Sequence, residues 1–249
     1  MYLDEITQLS GILSLIGICC MFLFAGLIFH IAMKRRVKIL YPFGIFVLSI
    51  NSPWYPSGFG YLYWLLTGSI FNYQTYVLLG TLGIPIAMLA WFFIYTSILH
   101  PNLKKYFLFG LGIFSIIFYL YLIYFLFFAP EAPVEAMIGI KNTPLDIEYK
   151  SFVLIYIGII ALIGVPTFLQ FSISSLRTKE NPKIQWRGKF LLVATIFFVF
   201  SAISDALFVL NPIFLIIVRI LLLLAALSFY MGFVMPDWVK KILNLDIEE

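Results

Sequence analysis

Short polar breaks divide the chain into long apolar runs. A spanning helix needs about 20 mostly apolar residues. Runs of that kind predict helices at about residues 11–33, 39–51, 75–99, 106–128, 151–176, 190–210 and 213–234. The second run is short. It stops at Ser52-Pro53-Trp54-Tyr55-Pro56-Ser57-Gly58, which leaves room for an irregular extension through that break. The uncharged aromatic stretch Phe59 to Tyr73 then reads as a half-helix or a loop at the outer surface.

The charges decide how many of these runs cross. Basic clusters fall at Lys34 to Lys38, at Lys104-Lys105, at Arg177 to Lys189 and at Lys240-Lys241. Two crossings between each consecutive pair place all of them on one side, as the positive-inside rule requires. A further crossing within residues 39–99 would split them. The loop Ala129 to Tyr149 carries Glu131, Glu135, Asp146 and Glu148 against Lys141 and suits the opposite side. The expectation is an all-α membrane protein: a single bundle of seven transmembrane helices spanning residues 1–249, with its N-terminus outside and its C-terminus cytoplasmic.

Composition agrees. The chain is 63% hydrophobic and 11% charged, against about 25% charged residues in a soluble domain. The formal charge of +4 reflects sorting across a bilayer and is no sign of nucleic-acid binding. Met1 to Ser10 holds Asp4 and Glu5 and no basic residue, unlike a secretory signal. The adjacent Cys19 and Cys20 cannot reach a distant partner and read as two small buried thiols. His30 and His100 lie apart from acidic or sulfur ligands, so no metal site and no cofactor is expected.

Two charges stand out inside the apolar runs. Asp205 precedes the outer turn at Asn211-Pro212 and Arg219 follows it. At about 1.5 Å rise per residue both lie roughly 10 Å below that turn. A lone charge at the bilayer centre costs at least ~2.5–3.5 kcal/mol, so pairing is the remedy. Ser201, one turn earlier, can add a hydrogen bond, and the small residues Ser201, Ala202, Ser204 and Ala206 allow close helix approach. The pair serves either as a structural lock or as a ligand, proton or switch site. A second cluster is the outer aromatic group of Trp54, Tyr61, Trp64, Tyr73 and Tyr76. It reads either as an interfacial belt or as a lid over a pocket for an apolar or aromatic ligand, with Trp64 and Tyr73 lining the cavity. Pro42, Pro85 and Pro166 can kink their helices, and Gln170 can satisfy a carbonyl freed by Pro166. Gly83-Ile84-Pro85, Gly164-Val165-Pro166 and Gly17-Ile18-Cys19 hint at three parallel helical hairpins plus a final helix.

Several chemistries are absent. The last helix has no lysine for a retinal Schiff base, and there is no Gly-x-Ser-x-Gly elbow, His-x-x-x-His pair or glycine-rich phosphate loop. No catalytic residues are assigned.

The last helix continues from Arg219 into Tyr230-Met231-Gly232-Phe233-Val234-Met235-Pro236-Asp237-Trp238-Val239-Lys240-Lys241. This exit resembles the final helix of the seven-helix sensor modules that precede histidine kinases in archaea and bacteria. The likeness covers about 25 residues and the overall architecture. The sequence ends where such modules continue into a kinase, so the resemblance implies a prokaryotic receptor-like sensor in the cell membrane, signalling through a separate cytoplasmic partner. A small transporter using Asp205 and Arg219 is the alternative, and a membrane enzyme a third reading.

The charge pattern yields a topology test. Cysteines placed at Asn102 and Lys183 and a reporter after Glu249 should be cytoplasmic, while Glu135 and Asn142 should label from outside. External labelling at position 183 would break the predicted arrangement.

Overall fold

The computed structural model describes residues 2–129, 134–178, 181–207 and 212–245. Among the described residues six helices are long and apolar enough to cross a membrane, which makes this a multi-pass α-helical membrane protein. Glu131, Asn211 and the side chain of Ala206 lie outside what is described.

Helix α1 spans Glu5–Arg35. It starts earlier than its apolar run because Glu5 occupies the first turn, where a negative charge suits the exposed N–H groups. Cys19 is exposed on its surface and Cys20 half-buried, so the expected pair of buried thiols is corrected.

The second run differs most from expectation. Helix α2 (Leu40–Ile50), a 3-10 turn (Ser52–Trp54) and α3 (Tyr55–Thr67) follow one another directly, so Phe59 to Thr67 belong to this helical succession and form no separate half-helix. The prolines that read as a break stand at the first positions of the next helical pieces, where a missing N–H removes no bond. Asn51 Nδ2 donates to the Val47 carbonyl at 2.7 Å and closes the end of α2. The whole succession runs antiparallel to α1. Phe29 meets Gly44 and Tyr41, Leu15 and Ile18 meet Gly58, and Gly11 meets Tyr61.

The next run is also interrupted, into α4 (Tyr73–Thr81) and α5 (Gly83–Leu99). Asn72 caps α4 by accepting from the Thr75 N–H at 2.8 Å. Pro85 cannot donate to the carbonyl four residues earlier, and the helix breaks at Leu82. Tyr119, on α6 (Lys104–Ile123), donates its hydroxyl to the Leu82 carbonyl at 2.6 Å. The two breaks lie side by side: Ser52 Oγ donates to the Gly80 carbonyl at 3.3 Å. Pro42, by contrast, sits in the first turn of α2 and kinks nothing.

After α6 and a short π-helical turn (Tyr124–Phe128) comes α7 (Val134–Met137). An antiparallel hairpin follows, β1 (Gly139–Thr143) and β2 (Asp146–Tyr149), pairing Gly139 with Tyr149 and Ile140 with Glu148. The described residues are 84% helical, in keeping with the all-α expectation, and this two-stranded hairpin is a small addition to the bundle. Its short alternating pattern beside Pro144 was masked by reading the loop only for charge. Leu145 is buried with Leu3 and Tyr61, so the N-terminus, the end of α3 and the hairpin share one end of the bundle.

The remaining helices are α8 (Ser151–Leu176), α9 (Pro182–Leu207), α10 (Pro212–Val234) and α11 (Asp237–Ile242). Helix α9 begins well before its apolar run because Asn181 Oδ1 accepts from the Lys183 and Ile184 N–H groups, with Pro182 at the first helical position. Pro166 lies inside α8. Gln170 does not serve the freed carbonyl: its Oε1 accepts from Tyr95 of α5 at 2.5 Å. Thr167 Oγ1 donates to the Gly164 carbonyl at 2.7 Å and accepts from Trp91 Nε1 at 2.9 Å.

The paired breaks make Gly83 irreplaceable. A Cβ there would lie 2.5 Å from the Ser49 carbonyl oxygen and 2.5 Å from Ser52 Cβ. Gly83→Ala should lower stability by about 1–3 kcal/mol, the usual cost of overpacking. Gly110→Ala on α6, with nothing within 4 Å, should be neutral or better. Thermal unfolding in detergent measures both, and equal midpoints for the two variants would refute the close approach.

Candidate functional site

Asp205 of α9 and Arg219 of α10 meet as their spacing predicts. Arg219 Nη1 donates to Asp205 Oδ2 at 2.7 Å, with both side chains mostly buried. The same oxygen accepts from Trp54 Nε1 at 2.5 Å. One carboxylate oxygen therefore joins α9, α10 and the 3-10 turn between α2 and α3. This merges two clusters that are separate in the sequence. The Trp54 ring also packs edge-on against Phe198 of α9, with centroids 6.2 Å apart.

Ser201 plays a different part from the one expected. It donates to the Val218 carbonyl of α10 at 3.2 Å and not to Asp205. Ser201 and Ser204 are both fully buried, so the small residues of α9 do bring α10 close. On the far side, Arg219 Nε and Ser14 Oγ are buried without a protein partner. Both border a small cavity of about 10 Å³ lined also by Asn51 and Trp54. That is room for one water, which could accept from Nε and bridge to Ser14.

On the near side the pair opens into a cavity of about 360 Å³. Its size falls within the usual range for small-molecule sites, roughly 300–1,000 Å³. The walls come from α2, the 3-10 turn, α5, α8, α9 and α10. Asp205, Arg219, Trp54, Ser57 and Tyr76 contribute polar groups, while Phe46, Phe168 and Phe229 line the deeper part. These three rings lie 5.3–6.1 Å apart and join a stack in which Trp91 lies 3.6 Å from Phe168. Gly164 of α8 leaves space at this level.

The lid is the β-hairpin, which places Asp146, Ile147 and Tyr149 on the cavity. Three hydrogen bonds hold it down. Ser57 Oγ donates to the Leu145 carbonyl at 2.7 Å, Tyr73 hydroxyl to the Gly139 carbonyl at 2.7 Å, and Lys141 Nζ to the Phe71 carbonyl at 3.3 Å. Desolvation raises the Asp146 pKa from its ordinary value and the nearby Asp205 charge adds to the rise, while the Ile147 N–H and Arg219 offset part of it. Burial likewise pushes the Tyr149 phenol up, and its hydroxyl has no protein partner.

The aromatic cluster thus divides. Trp54 and Tyr76 line the cavity. Tyr61 packs with Leu3, Leu145 and Trp64 in a separate small core. Tyr73 anchors the hairpin. The expectation that Trp64 and Tyr73 line the cavity is corrected: neither is among its walls. In the sequence Asp146 is one charge among several in an acidic loop and Tyr149 marks its end, so neither stands out as a cavity residue. The alternation around Ile140 and Ile147 was the available signal for a hairpin that turns one face inward.

The shared oxygen sets a stability test. Asp205→Asn and Arg219→Gln should each cost about 3–5 kcal/mol, because each strands the other charge. The double variant should recover much of the loss, and Trp54→Phe should cost less than either. Thermal unfolding in detergent reads all of these. Additive losses in the double variant would show that the two residues do not interact.

Comparison of the chain with protein-family models, with curated proteins and with solved structures finds no match.

Proposed function

We propose that this chain is a seven-span, receptor-like membrane protein, N-terminus outside, that binds a small ligand in the covered cavity and reports it through α10 to a cytoplasmic partner. The seventh span is the succession α2, 3-10 turn and α3. It matches α1 in length and pairs with it from Phe29 down to Gly11.

The observation that carries this reading is the position of α10. One helix supplies Arg219 and Phe229 to the cavity. Four residues on, Phe233 stacks on Phe43 at 3.8 Å. The chain then turns at Met235, which has a positive φ of 51°, into α11. Asp237 at the start of α11 contacts Arg35 at the end of α1 at 3.4 Å and Lys240 at 2.9 Å. A ligand that moves α10 would shift the short basic helix α11 at the opposite end. The exposed Arg35 contact is weak enough to rearrange. Transport by the same polar site is the competing reading, but the packed rings of Phe43, Trp91, Phe168 and Phe233 stand between the cavity and that end.

Hydrogen exchange in lipid nanodiscs tests the relay. Arg219→Gln and Phe229→Ala should each speed exchange at residues 237–243 several-fold, whereas Ile116→Ala on the exposed face of α6 should not. Unchanged exchange in both cavity variants would remove the relay. Net solute flux in proteoliposomes, abolished by Arg219→Gln, would replace it with transport.

A further inference from the structure

The cavity is asymmetric in charge and in chemistry. At its deep end it offers aromatic rings, and at its lidded end carboxylates, hydroxyls and one guanidinium. Asp205 and Arg219 neutralise each other through their 2.7 Å contact. That leaves Asp146, which has no salt-bridge partner among the described residues. Lys141, on the paired strand, does not fill this role. Its ammonium sits 4.4 Å from the Tyr76 ring centroid, bonded to the Phe71 carbonyl, and Lys141 is not among the cavity walls. The cavity therefore carries one uncompensated negative charge.

Asp146 is exposed at the mouth of the cavity, where desolvation and the Asp205 charge oppose its ionisation while the Ile147 N–H and the Arg219 charge favour it. An anionic ligand would meet two carboxylates and could reach Arg219 only by displacing Asp205. A wholly apolar ligand would offer nothing to the Asp146 carboxylate or to the buried Tyr149 hydroxyl, which has no partner among the described residues. An ammonium satisfies both, since a carboxylate and a phenol oxygen each accept from N–H. Aromatic walls suit a cation as well, through the negative faces of their rings. Apolar lining dominates below this level, at Ile84, Met88, Ile160 and Phe168.

We propose that the cavity binds an amphipathic organic cation, its ammonium group at Asp146 and Tyr149 of the hairpin and its apolar body against Phe46, Phe168 and Phe229. This rests on the reading of the cavity as a ligand site and specifies what that site takes. The hairpin is then the element that recognises the head group, and the aromatic floor is the element that couples the ligand body to α10.

The test is calorimetric titration of the full chain in phosphatidylcholine nanodiscs, with empty nanodiscs subtracted. The probes are phenylbutylamine, phenylbutanol and phenylbutyrate, which share a body and differ in head group. The amine should bind about tenfold or more tighter than the alcohol, as expected for a partly buried charge pair, with the acid weakest. Asp146→Asn should remove the amine's advantage and leave the alcohol unchanged. Asp146→Glu should keep part of that advantage, which covers the case in which the asparagine variant does not fold. Equal binding of amine and alcohol, or an advantage that survives in Asp146→Asn, overturns the cation assignment while leaving a ligand-binding cavity. Tightest binding of the acid overturns it in favour of Arg219 as the recognising group. Binding of none of the three above empty nanodiscs overturns both the cation assignment and the ligand-site reading.

Discussion

A single carboxylate oxygen, Asp205 Oδ2, organises the hairpin-covered half of this bundle. Two donors reach it, a guanidinium from α10 and an indole from the turn between α2 and α3. In an apolar surrounding neither charge is tolerable alone, so α9 and α10 are held at one register. The indole adds more than a third bond. Trp54 can reach Asp205 only if the chain breaks at Ser52–Trp54, which ties a backbone irregularity to the ion pair. The same residues then form one wall of the cavity. The pair that locks α9 to α10 is thus also part of the cavity wall.

The breaks are compatible with a membrane because each is covered. Irregular backbone at membrane depth survives only where protein or polar groups satisfy it. Asn51 closes α2, Tyr119 bonds the Leu82 carbonyl, and Ser52 bridges to Gly80. Gly83 lets the two broken helices touch through backbone atoms. Near Pro166, Thr167 bonds the Gly164 carbonyl, and Tyr95 fixes Gln170. Other polar side chains in the apolar runs, such as Thr96, Ser115 and Thr195, bond carbonyls of their own helix, and among the described residues the buried atoms without a partner, Arg219 Nε, Ser14 Oγ and the Tyr149 hydroxyl, belong to residues that line cavities.

What the sequence by itself determined was everything that depends on local composition and on distance along the chain. Long apolar runs give helices, and their ends follow from caps such as Asn72 and Asn181 once a polar flank is allowed to be helical. The pairing of Asp205 with Arg219 was legible because two helices joined by a short connection must bring equal depths together. Tertiary structure alone decided which partners come from afar. Trp54 lies 151 residues from Asp205, and Ser57 lies 88 from Leu145. No periodicity encodes such a distance. It also decided that a loop notable in the sequence for its acidity folds into a hairpin whose second strand borders the cavity at Asp146, Ile147 and Tyr149. The physical reason is that depth and hydrophobicity are properties of a segment, whereas a cavity belongs to the space left between segments, and that space exists only once the helices have packed.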